Sequence, residues 1–271
     1  MKSNVYLKIG VSTLVLFVLG LIQSFSVEVL SNMHFLFWKL LSDLLIALLL
    51  AYYILNSSFF GIKLALSVFA IFFIIGNFNI LIEAYIFNVT DRNETAMQML
   101  YGFIYCIIAS PLFVKIFDKW QGKNAPTSFE KRSVFSWVWR IFVGIIVYIF
   151  LYLLAGFILQ AVYPQLLTFY QDKIPAFDVM LGTQVYRGLI FCFIAMLILR
   201  TLQVSLLRRA IYIGLVFAIL GGIAPLIIPN ELMPHYIRMG HLVEVGTSNF
   251  LYGFILAFLL RQKVIKLPMD E

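Results

Sequence analysis

Runs of roughly 20 mainly apolar residues alternate with short polar links along the whole chain. Eight such runs stand out, at about 6–26, 36–56, 62–86, 97–117, 138–162, 180–201, 209–229 and 240–261. A helix rises 1.5 Å per residue, so about 20 residues cross about 30 Å of hydrocarbon. Inside the runs, polar and apolar positions do not alternate as they would in the strands of a membrane barrel. In lipid each backbone N–H and C=O must find its partner within the segment, and uninterrupted apolar runs of this length predict helices. The expected fold is an all-α polytopic membrane protein with eight transmembrane helices. No link is long enough to form a separate globular domain. The first run, with Lys2 and Lys8 before it and Ser24-Phe25-Ser26 after it, imitates a secretory signal peptide. Because a counterpart of that run recurs later in the chain, it is read as a retained span.

The recurrence is specific. "SVFAIF" at 67–72 returns as "LVFAIL" at 215–220, an offset of 148. At the same offset "WKLLSDLLIALLL" (38–50) lies over "YRGLIFCFIAMLI" (186–198), which aligns Lys39 with Arg187, and Glu83 lies over Glu231. Three residues of slippage later, "LYGFI" at 100–104 meets "LYGFI" at 251–255. These matches predict two four-helix repeats, residues 1–122 and 123–271. Four spans is an even number, so both repeats enter the membrane the same way round. The expected arrangement is a parallel 4+4 bundle about a pseudo-two-fold axis along the membrane normal.

Composition agrees with a bilayer as solvent. Of 271 residues, 62 % are hydrophobic and only 12 % charged, with a mean hydropathy of +0.97. A soluble domain could not cover so much apolar surface. The net charge of +7 is unevenly spread: fifteen of the 20 basic residues fall on the side that carries both termini. The excess of Lys and Arg predicts that this side is cytoplasmic, N-in and C-in, in a plasma or inner membrane. Its expected partners are anionic lipid headgroups at the cytoplasmic rim rather than nucleic acid. Cys106 and Cys192 both lie within spans and read as small packing residues, not as a disulfide or a thiol metal site.

Ionisable residues inside a span are costly, by roughly 2.5–3.5 kcal/mol at a helix centre, so their default reading is functional. Here they gather toward the side away from the termini. Lys39 and Asp43 form an i,i+4 pair, Glu83 lies late in the third run, and Gln184 and Arg187 lie early in the sixth. The last run opens with Arg238, His241 and Glu244 at i, i+3 and i+6, within about 60° of a common line at 100° per residue. Thr247 and Ser248 continue that stripe, and Asn249 follows them. The expected binding set is Lys39, Asp43, Glu83, Arg187, Arg238, His241, Glu244, Ser248 and Asn249, converging in one outward-facing pocket.

Three function classes follow from this set. Cations in a low-dielectric pocket would hold a small anionic or lipid-headgroup substrate, with Arg as a bidentate fork. His241 and Glu244 could then move a proton, as in a proton-coupled carrier. The alternatives are an enzyme acting at the outer leaflet and a sensor or assembly subunit without substrate. No G-x-S-x-G or H-E-x-x-H motif supports catalysis. His241 and Glu244 at i, i+3 could also ligate a metal ion, with Glu83, Asp43, His34 or His235 completing the set. Haem A synthase offers a 4+4 analogy, but the chain lacks the paired histidines within spans that haem requires.

Overall fold

The structure, a computed structural model, describes residues 4–23, 30–124, 128–170, 175–230, 233–262 and 264–265. Within them are eight helices long and apolar enough to cross a membrane: α1 (Val5–Gln23), α2 (Met33–Asn56), α3 (Gly61–Phe87), α4 (Arg92–Ile116), α5 (Val134–Val162), α7 (Phe177–Thr201), α8 (Leu206–Ile227) and α9 (His235–Leu260). A short helix, α6 (Gln165–Tyr170), lies in the link before α7. The protein is therefore an all-helical, multi-pass membrane protein.

The links carry the capping chemistry that ends such helices. Asn32, Asp91 and Ser133 cap α2, α4 and α5 through their side-chain oxygens, with Asp91 accepting from the amides of Asn93 and Glu94 at 2.9 and 3.2 Å. These contacts satisfy amides that the first helical turn leaves without a partner. Asn88 closes α3 in the left-handed region, φ 53°, which asparagine tolerates better than most residues.

Contacts between links define one end of the bundle. Lys8 near the start of α1 pairs with Asp118 just after α4. Two-residue strands β1 (Ser128–Phe129) and β2 (Val264–Ile265) pair antiparallel, which joins the link before α5 to the chain after α9. The α2–α3 and α7–α8 links also meet, through a bridge between Ser57 and Leu202 and a bond from the Ser58 amide to the Thr201 carbonyl at 2.8 Å. One end, the terminal face, thus holds the starts of α1, α3, α5 and α8 and the ends of α2, α4, α7 and α9. The opposite end is the far face.

At the centre, α8 is the most buried span and α5 the most peripheral. Phe142, Phe150 and Phe157 of α5 stay exposed, as expected of a lipid-facing helix. The core runs through Tyr53, Ile71, Phe191, Phe217 and Tyr252. Both α3 and α8 contain a π-turn, at Ile74–Phe78 and Ile219–Ile223. The two π-turns pack together: a Cβ built on Gly76 would lie 3.6 Å from Leu220 Cβ, and one on Gly221 3.6 Å from Ile75 Cγ2. A π-turn adds one residue to its helix and so shifts the face that everything after it presents. In α3 that segment carries Glu83. Glycine sets the closest helix–helix approach, where a Cβ on Gly253 of α9 would stand 2.8 Å from the Ile213 carbonyl oxygen of α8. Backbones of spanning helices meet this closely only at small residues.

Candidate functional site: a buried ionic cluster between helices

The candidate polar residues fall into three groups. In the first, α7 and α3 are joined by an ion pair between Arg187 and Glu83. Arg187 is 6 % exposed and lies about ten residues, or ~15 Å, from the start of α7, close to mid-span. Glu83 is well satisfied. Besides Arg187 it accepts from Gln184 Nε2 at 3.1 Å and from the Tyr152 hydroxyl of α5 at 3.2 Å. Arg187 Nη1 also donates to Gln184 Oε1 at 3.1 Å, and its guanidinium stands 5.9 Å from the centre of the Tyr148 ring. Arg187 Nε is buried and has no hydrogen-bond partner among the described residues.

The second group is a chain of three side chains. His241 Nδ1 lies 2.8 Å from Glu244 Oε2, and its Nε2 lies 2.8 Å from the Tyr170 hydroxyl of α6. One imidazole therefore bridges a carboxylate and a phenol. Burial, followed by the charges of Glu244 and Glu83, pushes the Tyr170 phenol up to about 12. Glu83 of the first group is thus among the charges that act on Tyr170 of the second. Next to them Arg238 is 5 % exposed, and its Nη2 reaches His235 Nδ1 at 3.4 Å. Its Nε is buried without a partner among the described residues.

The third group lies apart. Lys39 donates to Asp43 at 2.5 Å on α2, and the nearby Tyr105 hydroxyl of α4 donates to the Leu16 carbonyl of α1 at 3.2 Å. Asp43 is 1 % exposed. Gly20 of α1 makes room for the ammonium: a Cβ there would come 2.7 Å from Lys39 Nζ. This pair sits among α1, α2 and α4, and no hydrogen bond or ion pair among the described residues connects it to Arg187 or His241. Glu231, the expected counterpart of Glu83, lies outside the described residues.

The stripe on α9 divides once it packs. Thr247 is exposed and returns its hydroxyl to the Val243 and Glu244 carbonyls, at 2.6 and 3.1 Å. Ser248 turns to the Val245 carbonyl at 3.5 Å. Ser and Thr hydroxyls in a helix commonly bond carbonyls one turn back. Asn249 is buried and donates to the Phe217 carbonyl of α8 at 3.2 Å, beside the π-turn, so it serves the helix–helix contact.

The metal expectation finds no support. Among the described residues no three His, Cys, Asp or Glu side chains converge as a ligand set. Both nitrogens of His241 are engaged, and His34 accepts from Trp38 Nε1 at 3.0 Å. Sequence reasoning missed Tyr152, Tyr170 and Tyr105. Nothing in the spacing of these tyrosines marks them, and only packing shows which group each hydroxyl meets. Comparison with family models, curated proteins and solved structures gives no match to this chain.

Proposed function

We propose that the protein is a proton-coupled carrier for a small anionic solute, built as two parallel four-helix repeats with both termini in the cytoplasm. The observation that carries this reading is the Arg187–Glu83 pair, largely buried between helices of the first and second halves of the chain. A buried ion pair is weak evidence for stability, so its retention in lipid points to use. Arg187 has a fork for an anion and an Nε still free to donate among the described residues. An arriving anion would compete with Glu83 for the guanidinium. The displaced carboxylate would then take a proton, because an unpaired charge is costly there. Tyr170, His241 and Glu244 supply the route, since an imidazole between two hydrogen-bonding partners can take a proton on one nitrogen and release it from the other.

The repeat reading is supported by contacts on the proposed axis. Residues related by the offset of 148 must touch where the axis passes, and Tyr53 Oη lies 2.7 Å from Thr201 Oγ1 at that offset. The π-turns of α3 and α8 also pack together, although they are related by 145 residues rather than 148. Repeats of this kind place substrate between them near the membrane midplane.

The test is reconstitution in vesicles containing a pH-sensitive dye, with an imposed gradient of inorganic phosphate, succinate or glutamate. Wild type should acidify the lumen with at least one of these anions. Arg187→Ala should abolish uptake, whereas Glu244→Gln should leave residual uptake without the pH change. A wild-type protein that moves none of the three, and is not thermally stabilised by any of them, removes the carrier reading.

A further inference from the structure

The terminal face holds a second charged feature, distinct from the Arg187–Glu83 cluster. A cavity of about 600 Å³ is lined by Arg132, Arg140, Arg200, Arg209 and Arg261, with Glu130 as the one acidic residue. Arg140, Arg200 and Arg209 come from α5, α7 and α8, Arg261 follows α9, and Arg132 lies in the link before α5. Three spans of the second half, and the residue just after the fourth, therefore deliver a guanidinium to one place. That volume lies in the range of small-molecule sites, roughly 300–1,000 Å³.

The arginines are held by uncharged partners. Arg140 Nη1 donates to the Leu259 carbonyl at 2.6 Å, Arg209 Nη1 to the Leu199 carbonyl at 3.0 Å, and Arg132 Nη2 to the Arg261 carbonyl. These acceptors are at helix C-termini, which favour positive charge. Arg200 Nε donates to Gln262 Oε1 at 3.3 Å, and Trp137 lies between Arg132 and Arg200, with ring centre 5.2 and 5.6 Å from their guanidinium carbons. Among the described residues none of the five pairs with a carboxylate within 4.0 Å, whereas Lys8 on the same face pairs with Asp118. Three of their nitrogens, Arg132 Nη1, Arg140 Nε and Arg209 Nε, are buried with no partner among the described residues. Burial, then the neighbouring charge of Arg140 and to a lesser extent Arg261, holds the Arg132 guanidinium below its usual range, with Glu130 opposing the shift. Helix-end bonding accounts for some of these donors and leaves the others without a partner among the described residues.

We infer that this cavity binds a phosphate group, with the five guanidiniums as forks around its oxygens. Arginine matches phosphate geometry in bidentate fashion and gives up hydration more readily than lysine. A phosphate could arrive on an anionic phospholipid, since the cavity sits at the helix ends where headgroups lie, or free from solution. The inference is independent of the carrier reading, because it uses none of the residues around Arg187.

The test uses the purified full-length protein in a neutral detergent. Thermal unfolding is followed while titrating dioctanoyl phosphatidylglycerol, dioctanoyl phosphatidylcholine or inorganic pyrophosphate, and bound species are counted by native mass spectrometry. Wild type should be stabilised, and retain adducts, with phosphatidylglycerol or with pyrophosphate. Stabilisation by the lipid alone identifies a headgroup site, and stabilisation by pyrophosphate as well identifies a soluble phosphate. Arg200→Gln/Arg261→Gln changes two exposed side chains and should weaken binding at least tenfold, with Arg140→Gln as a second variant. Lys8→Gln on the same face should bind as wild type does. Equal binding by wild type and by both arginine variants, or preference for phosphatidylcholine, would overturn the site.

Discussion

Arg187 of α7 donates to Glu83 of α3, and the pair ties the two halves of the chain together inside the bundle. Removing one member leaves the other charged and buried. Arg187→Ala should therefore destabilise the protein by about 3 kcal/mol, the low end for buried pairs because Glu83 keeps 24 % side-chain exposure. Arg187→Met combined with Glu83→Met should recover most of that loss. Unfolding midpoints of the two single variants and the double variant in one detergent complete the cycle. If both single changes were harmless, the pair would not be buried as described.

Alkaline pH probes the contact between Tyr170 and His241. The Tyr170 phenol is pushed from its ordinary 10 up to about 12 by burial and the nearby carboxylates. Between those values the folded state binds a proton that the unfolded state has released. Stability from this group is thus complete below about pH 10 and falls as pH rises toward 12. Wild type should lose more stability between pH 10 and 12 than Tyr170→Phe, read from thermal unfolding in an ether-linked detergent. Parallel curves for the two proteins would place Tyr170 in solvent.

At the α8–α9 contact, Gly253→Ala puts a methyl 2.8 Å from a carbonyl oxygen, and backbone cannot swing aside as a side-chain tip can. Overpacking of this kind typically costs about 1–3 kcal/mol. Gly156→Ala, where a Cβ meets nothing within 4 Å, should change stability by less than about 0.5 kcal/mol. Differential scanning of the two variants side by side checks the contrast.

Sidedness can be read from single cysteines without first removing the native ones, because Cys106 and Cys192 are 2 and 0 % exposed. Asn93→Cys on the far face should react with a membrane-impermeant maleimide on intact cells. Lys123→Cys on the terminal face should react only after permeabilisation. The reverse pattern would place both termini outside, against the distribution of Lys and Arg.

How much was legible beforehand follows the same physical division. Helix number and approximate limits were written in the apolar runs, because lipid demands internally satisfied backbone over a fixed thickness. Lys39–Asp43 and His241–Glu244 could be anticipated as pairs, since each lies within one helix at a spacing that sets the geometry. The π-turns of α3 and α8 had no signature in an apolar run, yet they shift the faces that those helices present.

What the sequence alone determined is therefore the set of local consequences: eight spans, a basic rim and pairs one helical turn apart. Partnership across helices was decided by tertiary structure. Packing gave Glu83 to Arg187 rather than to Lys39, set Tyr170 against His241, and used Asn249 for a carbonyl of α8. It also gathered five arginines from five separate stretches of chain around one cavity. The reason is that a uniformly apolar helix can rotate about its axis with little change in its contact with lipid. Only close packing against particular neighbours settles which residues face inward.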